Sequence, residues 1–137
     1  MTLAADRDTK SLLARKRILF VDDEPAILVG LRNLFRKDRT RWDMVFALGG
    51  EVALDEARKQ PFDVVVSDHG MPGIDGATLL TTINEEHPET ALIMLSGLAD
   101  TAPIVCALPM LRLLTKPCDT ATLRAAIEHS IAPGITG

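Results

Sequence analysis

Five times along this chain a short apolar run gives way to a stretch with helical spacing, and that alternation most constrains its fold. Ile18-Leu19-Phe20-Val21 is apolar at every position and stops at Asp22-Asp23-Glu24-Pro25. A run of this length without alternation suits a strand buried on both faces. Pro25 fits the first turn of a helix, where its missing N–H is no loss. Ile27, Leu28, Leu31, Leu34 and Phe35 follow at helical spacing and predict one inward stripe. Arg36, Lys37 and Arg39 then place positive charge where the helix dipole favours it. The unit recurs. Trp42 to Leu48 reads as a second strand ended by Gly49-Gly50, and Glu51 to Gln60 as a helix with Ala53, Leu54 and Ala57 inward. Phe62 to Ser67 is the third strand, followed from Asp68 to Gly76 by a loop holding three glycines and a proline. Ala77 to His87 forms a helix with Leu79, Leu80 and Ile83 inward, and Ala91 to Ser96 a fourth strand. Between 98 and 109, Pro103 and Pro109 allow a short helix. Leu111 to Thr115 is the fifth strand, and Asp119 caps a last helix carrying Leu123, Ile127 and Ile131 on one face.

Strict alternation of this kind predicts an α/β fold, a doubly wound parallel sheet with helices on both faces and right-handed crossovers. With 137 residues the chain suits one open five-stranded domain and falls short of a barrel of eight units. The expected division is a flexible leader at 1–16, the folded domain at 17–132, and a disordered tail or linker start at 133–137. The 15 basic and 19 acidic residues give a net charge of -4, which disfavours direct nucleic-acid binding. Cys106 and Cys118 lack metal-site spacing and suit free, unreactive thiols in a reducing cytoplasm. No apolar run approaches the length of a membrane span, and the polar start argues against a secretion signal.

Open parallel sheets bind ligands beyond the carboxyl ends of their strands. Those ends carry Asp22-Asp23, Gly49-Gly50, Asp68, Ser96 and Lys116. Singly, Asp22 suits a helix cap, Ser96 a turn before Gly97, and Lys116 an exposed surface. Jointly they point to a site, because separate stretches of sequence place each of them. If the first and third strands are neighbours, Asp22, Asp23 and Asp68 meet at one rim. Three carboxylates there must stay partly protonated or share a cation. All-oxygen ligation with few protein ligands is the Mg²⁺ pattern. A phosphoryl group could then bridge the metal, the Lys116 ammonium and the Ser96 hydroxyl, with Asp68 as its nucleophile. His69, adjacent on an extended segment, is expected to face away.

At these positions the sequence resembles the receiver domains of two-component response regulators. The matching segments are ILFVDDEPAIL at 18–28, DVVVSDHGMPGIDG at 63–76, ALIMLSG at 91–97 and LLTKP at 113–117. The resemblance implies a flavodoxin-like sheet of order 2-1-3-4-5, with Asp68 as phosphoacceptor. It implies Asp23 as a direct Mg²⁺ ligand, Asp22 acting through water, and the Gly70 backbone carbonyl completing the protein's share of the metal shell. Ser96 and Lys116 take the phosphoryl oxygens, and the peptide before Pro117 is cis. The chain departs from the family in carrying Leu113 where an aromatic residue is common, Gly70 in place of a larger side chain, and a shorter stretch between Ser96 and Lys116.

The resemblance implies a signalling phosphoacceptor that catalyses only its own phosphorylation and dephosphorylation. Its partners would be a sensor histidine kinase or phosphotransfer protein and a downstream output domain or effector, with homodimerisation a further possibility. The responsive face would comprise segment 98–109, the fifth strand and the last helix. Other readings are a phosphatase of the haloacid dehalogenase type, a flavin module, and a receiver that binds partners unphosphorylated. The first needs D-x-D after the first strand, where Asp22 and Asp23 are adjacent. The second would meet repulsion between the flavin phosphate and Asp22-Asp23-Glu24.

Overall fold

The computed structural model describes residues 15–97 and 108–131. The terminal segments 1–14 and 132–137, and the expected short helix except for its last two positions, lie outside the described residues. Along the chain run β1 (Lys16–Asp22), α1 (Pro25–Leu34), a 3-10 turn (Arg36–Thr40), β2 (Trp42–Leu48), α2 (Gly50–Lys59) and β3 (Val64–Asp68). After them come α3 (Gly76–Glu86), β4 (Ala91–Ser96), β5 (Leu111–Thr115) and α4 (Thr120–Ile131). The strands form one parallel sheet in the order β2-β1-β3-β4-β5, the order that the resemblance implies. No helix among the described residues is long and apolar enough to cross a membrane.

Strand periodicity divides the core into two layers. Leu19, Val21, Val65, Leu92 and Met94 face α2 and α3, against Ala53, Leu54, Ala57, Leu79, Leu80 and Ile83. Their neighbours Ile18, Phe20, Val64, Val66 and Ile93 face α1 and α4, against Phe35, Leu123, Ala126 and Ile127. Continuous apolar strands are therefore used on both faces, as their composition predicts. The inner strands β1 and β3 are almost wholly buried, and β5, at the sheet edge, is half-exposed.

Three sequence expectations need correction. The α1 stripe is not wholly inward: Leu28 and Phe35 are buried, whereas Ile27 is 44% and Leu34 52% exposed. The stripe is wider than the contact, and Ile27 and Leu34 sit on its exposed shoulder. Phe62 is buried but precedes β3, which runs from Val64 and includes Asp68 as its last residue. β1 starts at Lys16, one position before the expected edge of the domain.

Arg36–Thr40 hides an ionic clamp that local sequence does not announce. Asp38 is buried and accepts from Arg41 at 2.8 Å and from Arg124 at 3.0 Å. Arg124 also donates to the Leu34 carbonyl and lies over the Phe35 ring. Arg41 reaches Glu128 at 2.7 Å and stacks on Trp42. Burial by itself would raise the Asp38 pKa, but the hydrogen bonds and charges of Arg124 and Arg41 hold it below the ordinary carboxylate value. The clamp ties α4 to the end of α1 and the start of β2, which fixes one wall of the site.

Candidate functional site

Parallel pairing brings the expected residues to one end of the sheet. Val21 pairs with Ser67, so Asp22 and Asp68 follow side by side at the ends of β1 and β3. Asp23 begins the connection to α1. Ser96 ends β4, and Lys116 leaves β5 with its amide donating to the Ser96 carbonyl at 2.8 Å. The Lys116–Pro117 peptide is cis.

Glycines hold this rim closely. Gly49, at φ 90°, donates its amide to the Asp22 carbonyl at 2.9 Å. Gly76 starts α3 directly under the end of β3. A Cβ there would come within 2.9 Å of His69 Cα and closer still to the Asp68 carbonyl oxygen. Asp75 caps α3 by accepting from the Thr78 amide at 2.8 Å, and that bond keeps its carboxyl below the ordinary value.

One carboxylate oxygen from each of Asp22, Asp23 and Asp68 lies within 4.8 Å of the others. At an effective dielectric near 20, each pair of charges at 4.8 Å costs on the order of 3 kcal/mol. The Lys116 ammonium pairs with Asp68 Oδ1. A single ammonium offsets part of three mutual repulsions. Asp22 registers the remainder. Burial raises its pKa most, the Glu24 amide bond opposes this, and the charges of Asp68 and Asp23 raise it further.

Asp68 is 6% exposed, and its buried Oδ1 is met by the Lys116 ammonium. A buried carboxylate with one ammonium beside it, grouped with two more carboxylates, is a place for a hard cation. The donor set is all oxygen, as Mg²⁺ prefers, and Gly70 lines the same cavity. The residues present fit that ion.

The remaining candidates are less directly engaged. Ser96 is buried, and its hydroxyl donates to the Gly97 carbonyl at 3.0 Å, outside the cavity lining. His69 is also outside the lining.

The cavity itself has a volume of about 530 Å³ and a mixed lining. Asp22, Asp23, Glu24, Asp68, Gly70 and Lys116 supply its polar lining. Val21, Ile27, Leu31, Val66, Leu95, Cys118 and Leu123 supply the apolar lining. Sequence reasoning missed the apolar lining, because its members are scattered over β1, α1, β3, β4, the β5–α4 connection and α4 and share no motif. Burial, and after it the Asp119 charge, raises the Cys118 pKa, so the thiol stays neutral.

The family model for the response regulator receiver domain matches residues 18–128. Response regulator protein PilR of Pseudomonas aeruginosa is 31% identical over 121 residues, covering 87% of this chain and 27% of PilR. Sensor kinase CckA of Brucella abortus is 35% identical over 95 residues, covering 62% of this chain and 9% of the kinase. A receiver domain structure from Clostridium thermocellum superposes with a TM-score of 0.75 at 28% identity, covering 85% of this chain and 94% of that one. The chain spans about a quarter to a third of the length of the first curated relatives it matches.

Proposed function

Because the chain belongs to the response regulator receiver domain family, we propose that it is the phosphoacceptor of a two-component system, Asp68 taking a phosphoryl group from a sensor histidine kinase or phosphotransfer protein. The observation that carries this reading is the buried Asp68 carboxylate, in contact with the Lys116 ammonium and grouped with the carboxylates of Asp22 and Asp23.

Asp23 and Asp68 would hold Mg²⁺ directly, with the Gly70 carbonyl, and Asp22 would act through water. When bound, the ion supplies the charge neutralisation that lets an anionic donor approach three carboxylates. Asp68 attacks phosphorus, the donor's P–N bond breaks, and the imidazole leaves with the electron pair. Lys116 exchanges its contact with Asp68 Oδ1 for a phosphoryl oxygen. The Ser96 hydroxyl turns from the Gly97 carbonyl to donate to another, drawing the end of β4 inward. An added Cβ on Gly70 would meet nothing within 4 Å, so the acceptor stays open to water on that side. The domain thus acts once per phosphoryl group, as a signalling element rather than a turnover enzyme.

Phosphorylation shifts an existing equilibrium of β5 and α4. Leu113 is half-buried and packs with Leu111 against the core on the α2–α3 side. It can repack, having no ring to swing outward. The altered face then meets an output domain, an effector or a second copy of the chain, in the cytoplasm.

The test is incubation with acetyl phosphate and Mg²⁺, followed by intact-protein mass measurement. One phosphoryl group, stable in acid and labile in base, should be gained by the parent and lost in Asp68→Asn. An equal gain in Asp68→Asn would overturn the reading. Multiple turnover on free phosphate esters would favour the phosphatase alternative instead.

A further inference from the structure

A buried ion pair adds little stability over apolar packing of the same shape, so the clamp around Asp38 invites a second role. What it supplies is direction. The buried anchors of α4 are Leu123, Ala126 and Ile127, and apolar burial is non-directional, so these contacts tolerate a small slide or rotation of the helix. Charge-assisted hydrogen bonds are directional. Each oxygen of Asp38 is gripped by two nitrogens of one guanidinium: Oδ1 by Arg41 at 3.2 and 2.8 Å, Oδ2 by Arg124 at 3.2 and 3.0 Å. One turn further along α4, Glu128 accepts from Arg41 at 2.7 Å. Attachments on two successive turns fix both the height and the rotation of α4 against the turn at Arg36–Thr40.

The start of that helix is joined to the site by a connection with little slack. Asp119 caps α4, its side chain accepting from the Thr122 amide at 2.8 Å and its carbonyl from the Leu123 amide at 3.1 Å. Lys116 is tied to the sheet by its amide, which donates to the Ser96 carbonyl at 2.8 Å. Pro117 and Cys118 alone lie between these two fixed points, and the ring of Pro117 locks its φ. The Lys116 side chain is 47% exposed, so its reach to the buried Asp68 is set mainly by where its backbone lies. The three carboxylates have a different support, the pairing of the inner strands β1 and β3.

We infer that Asp38 is a positioning residue for phosphoryl transfer: through Arg124 it sets the register of α4, and through the start of α4 the placement of the Lys116 ammonium against Asp68. This rests on Asp68 being the phosphoacceptor. Releasing the clamp lets Lys116 swing away, so the incoming phosphoryl group loses a counter-charge and transfer slows. The same withdrawal removes positive charge from beside the carboxylates, so a divalent cation binds them more tightly. A general loosening of the fold would weaken both.

The test compares Asp38→Asn and Arg124→Gln with the parent, at a temperature where circular dichroism shows the variants folded. A misplacement of about 1 Å can cost on the order of a hundredfold in rate, so partial withdrawal should slow labelling by acetyl phosphate about three- to thirtyfold in each. A unit charge about 6 Å away in a water-like medium is worth about a factor of three, so the Mg²⁺ dissociation constant, measured by calorimetry with the metal alone, should fall about two- to fivefold. The two substitutions change net charge in opposite directions, so a shared shift is not a bulk charge effect. Lys116→Ala should show both changes, and adding either clamp substitution to it should slow labelling no further. Arg124 is 21% exposed, so Arg124→Gln, alone and combined with Lys116→Ala, carries the test if Asp38→Asn does not fold. Weaker Mg²⁺ binding with slower labelling, Mg²⁺ shifts of opposite sign in the two variants, additive slowing on Lys116→Ala, or unchanged labelling would each overturn the inference while leaving the acceptor role of Asp68 intact. If the parent is not labelled at Asp68, the receiver reading falls and this one with it.

Discussion

Replacing Gly76 with alanine sets two effects of opposite sign against each other. Alanine is the better helix former, worth up to about 1 kcal/mol in a helix interior and less at the first position. Against this stands the approach of α3 to β3, where the new Cβ would lie 2.9 Å from His69 Cα and nearer still to the Asp68 carbonyl oxygen. Ordinary carbon–oxygen contacts begin at about 3.3 Å, so something must move by several tenths of an ångström to about 1 Å. Both obstructing atoms are backbone, which a rotamer change cannot clear. Overpacking of this kind costs about 1–3 kcal/mol and occasionally more, so a net loss of about 2 kcal/mol is expected. For a chain of 137 residues that corresponds to a fall in melting temperature of about 6–12 °C. Because the obstructed carbonyl belongs to Asp68 itself, the initial rate of phosphorylation by acetyl phosphate should fall as well. Gly70→Ala is the matched control, since its Cβ would meet nothing within 4 Å. It should melt close to the parent. A Gly76→Ala protein melting within about 2 °C of the parent would refute the reasoning, showing that α3 can retreat from β3 at little cost.

The two buried carboxylates that titrate abnormally should respond to acid in opposite directions. Burial raises Asp38, but its bonds to Arg124 and Arg41 more than reverse this. Its contribution to stability is therefore full above about pH 4, the unfolded value, and is lost as pH falls through the lowered folded value. Asp38→Asn should cost roughly 1–3 kcal/mol near neutral pH and flatten the acid limb of a denaturation–pH profile; an unchanged limb would contradict the clamp. Asp22 is raised chiefly by burial, against the Glu24 amide bond and with help from Asp68 and Asp23. Its contribution is present below about pH 4 and lost as pH rises through the folded value, so the ionised cluster burdens the fold at neutral pH. Mg²⁺ should raise the melting temperature clearly at neutral pH and much less near about pH 4.5, and Asp22→Asn should raise the metal-free value while shrinking the Mg²⁺ increment. Equal Mg²⁺ increments at both pH values would count against a cation held by these carboxylates.

What the sequence disclosed, and what it withheld, follows the reach of each interaction. β4 and β5 occupy the expected residues, because Leu92-Ile93-Met94 and the Pro109 and Pro117 boundaries are local signals. Asp22, Asp23, Asp68, Ser96 and Lys116 were legible as a group because a parallel sheet sends all its strand ends to one side. The outward lean of Ile27 and Leu34 was not legible, since helical spacing shows which residues share a stripe and says nothing of how wide its contact is. Asp38 sits in Arg36-Lys37-Asp38-Arg39, whose basic residues read as charge closing the first helix. Its decisive partner, Arg124, lies in the last helix, and no local pattern joins them. Gly76 was readable as a loop residue, but the reason for its lack of a side chain is a carbonyl eight positions earlier, brought under it by the fold. The resting contact of Ser96 with the Gly97 carbonyl likewise depends on a hydroxyl rotamer that a sequence does not carry.

The order in which the rim's charges are synthesised has a consequence for how the chain matures. Both acidic strand ends, at Asp22 and Asp68, belong to the first half of the polypeptide, whereas the ammonium that offsets them arrives with β5. A growing chain that has joined β1 to β3 carries a bare acidic notch until its final strand is laid against β4. Seating that strand delivers backbone pairing and counter-charge in a single event. An unfinished sheet is thus electrostatically penalised until its edge strand is in place.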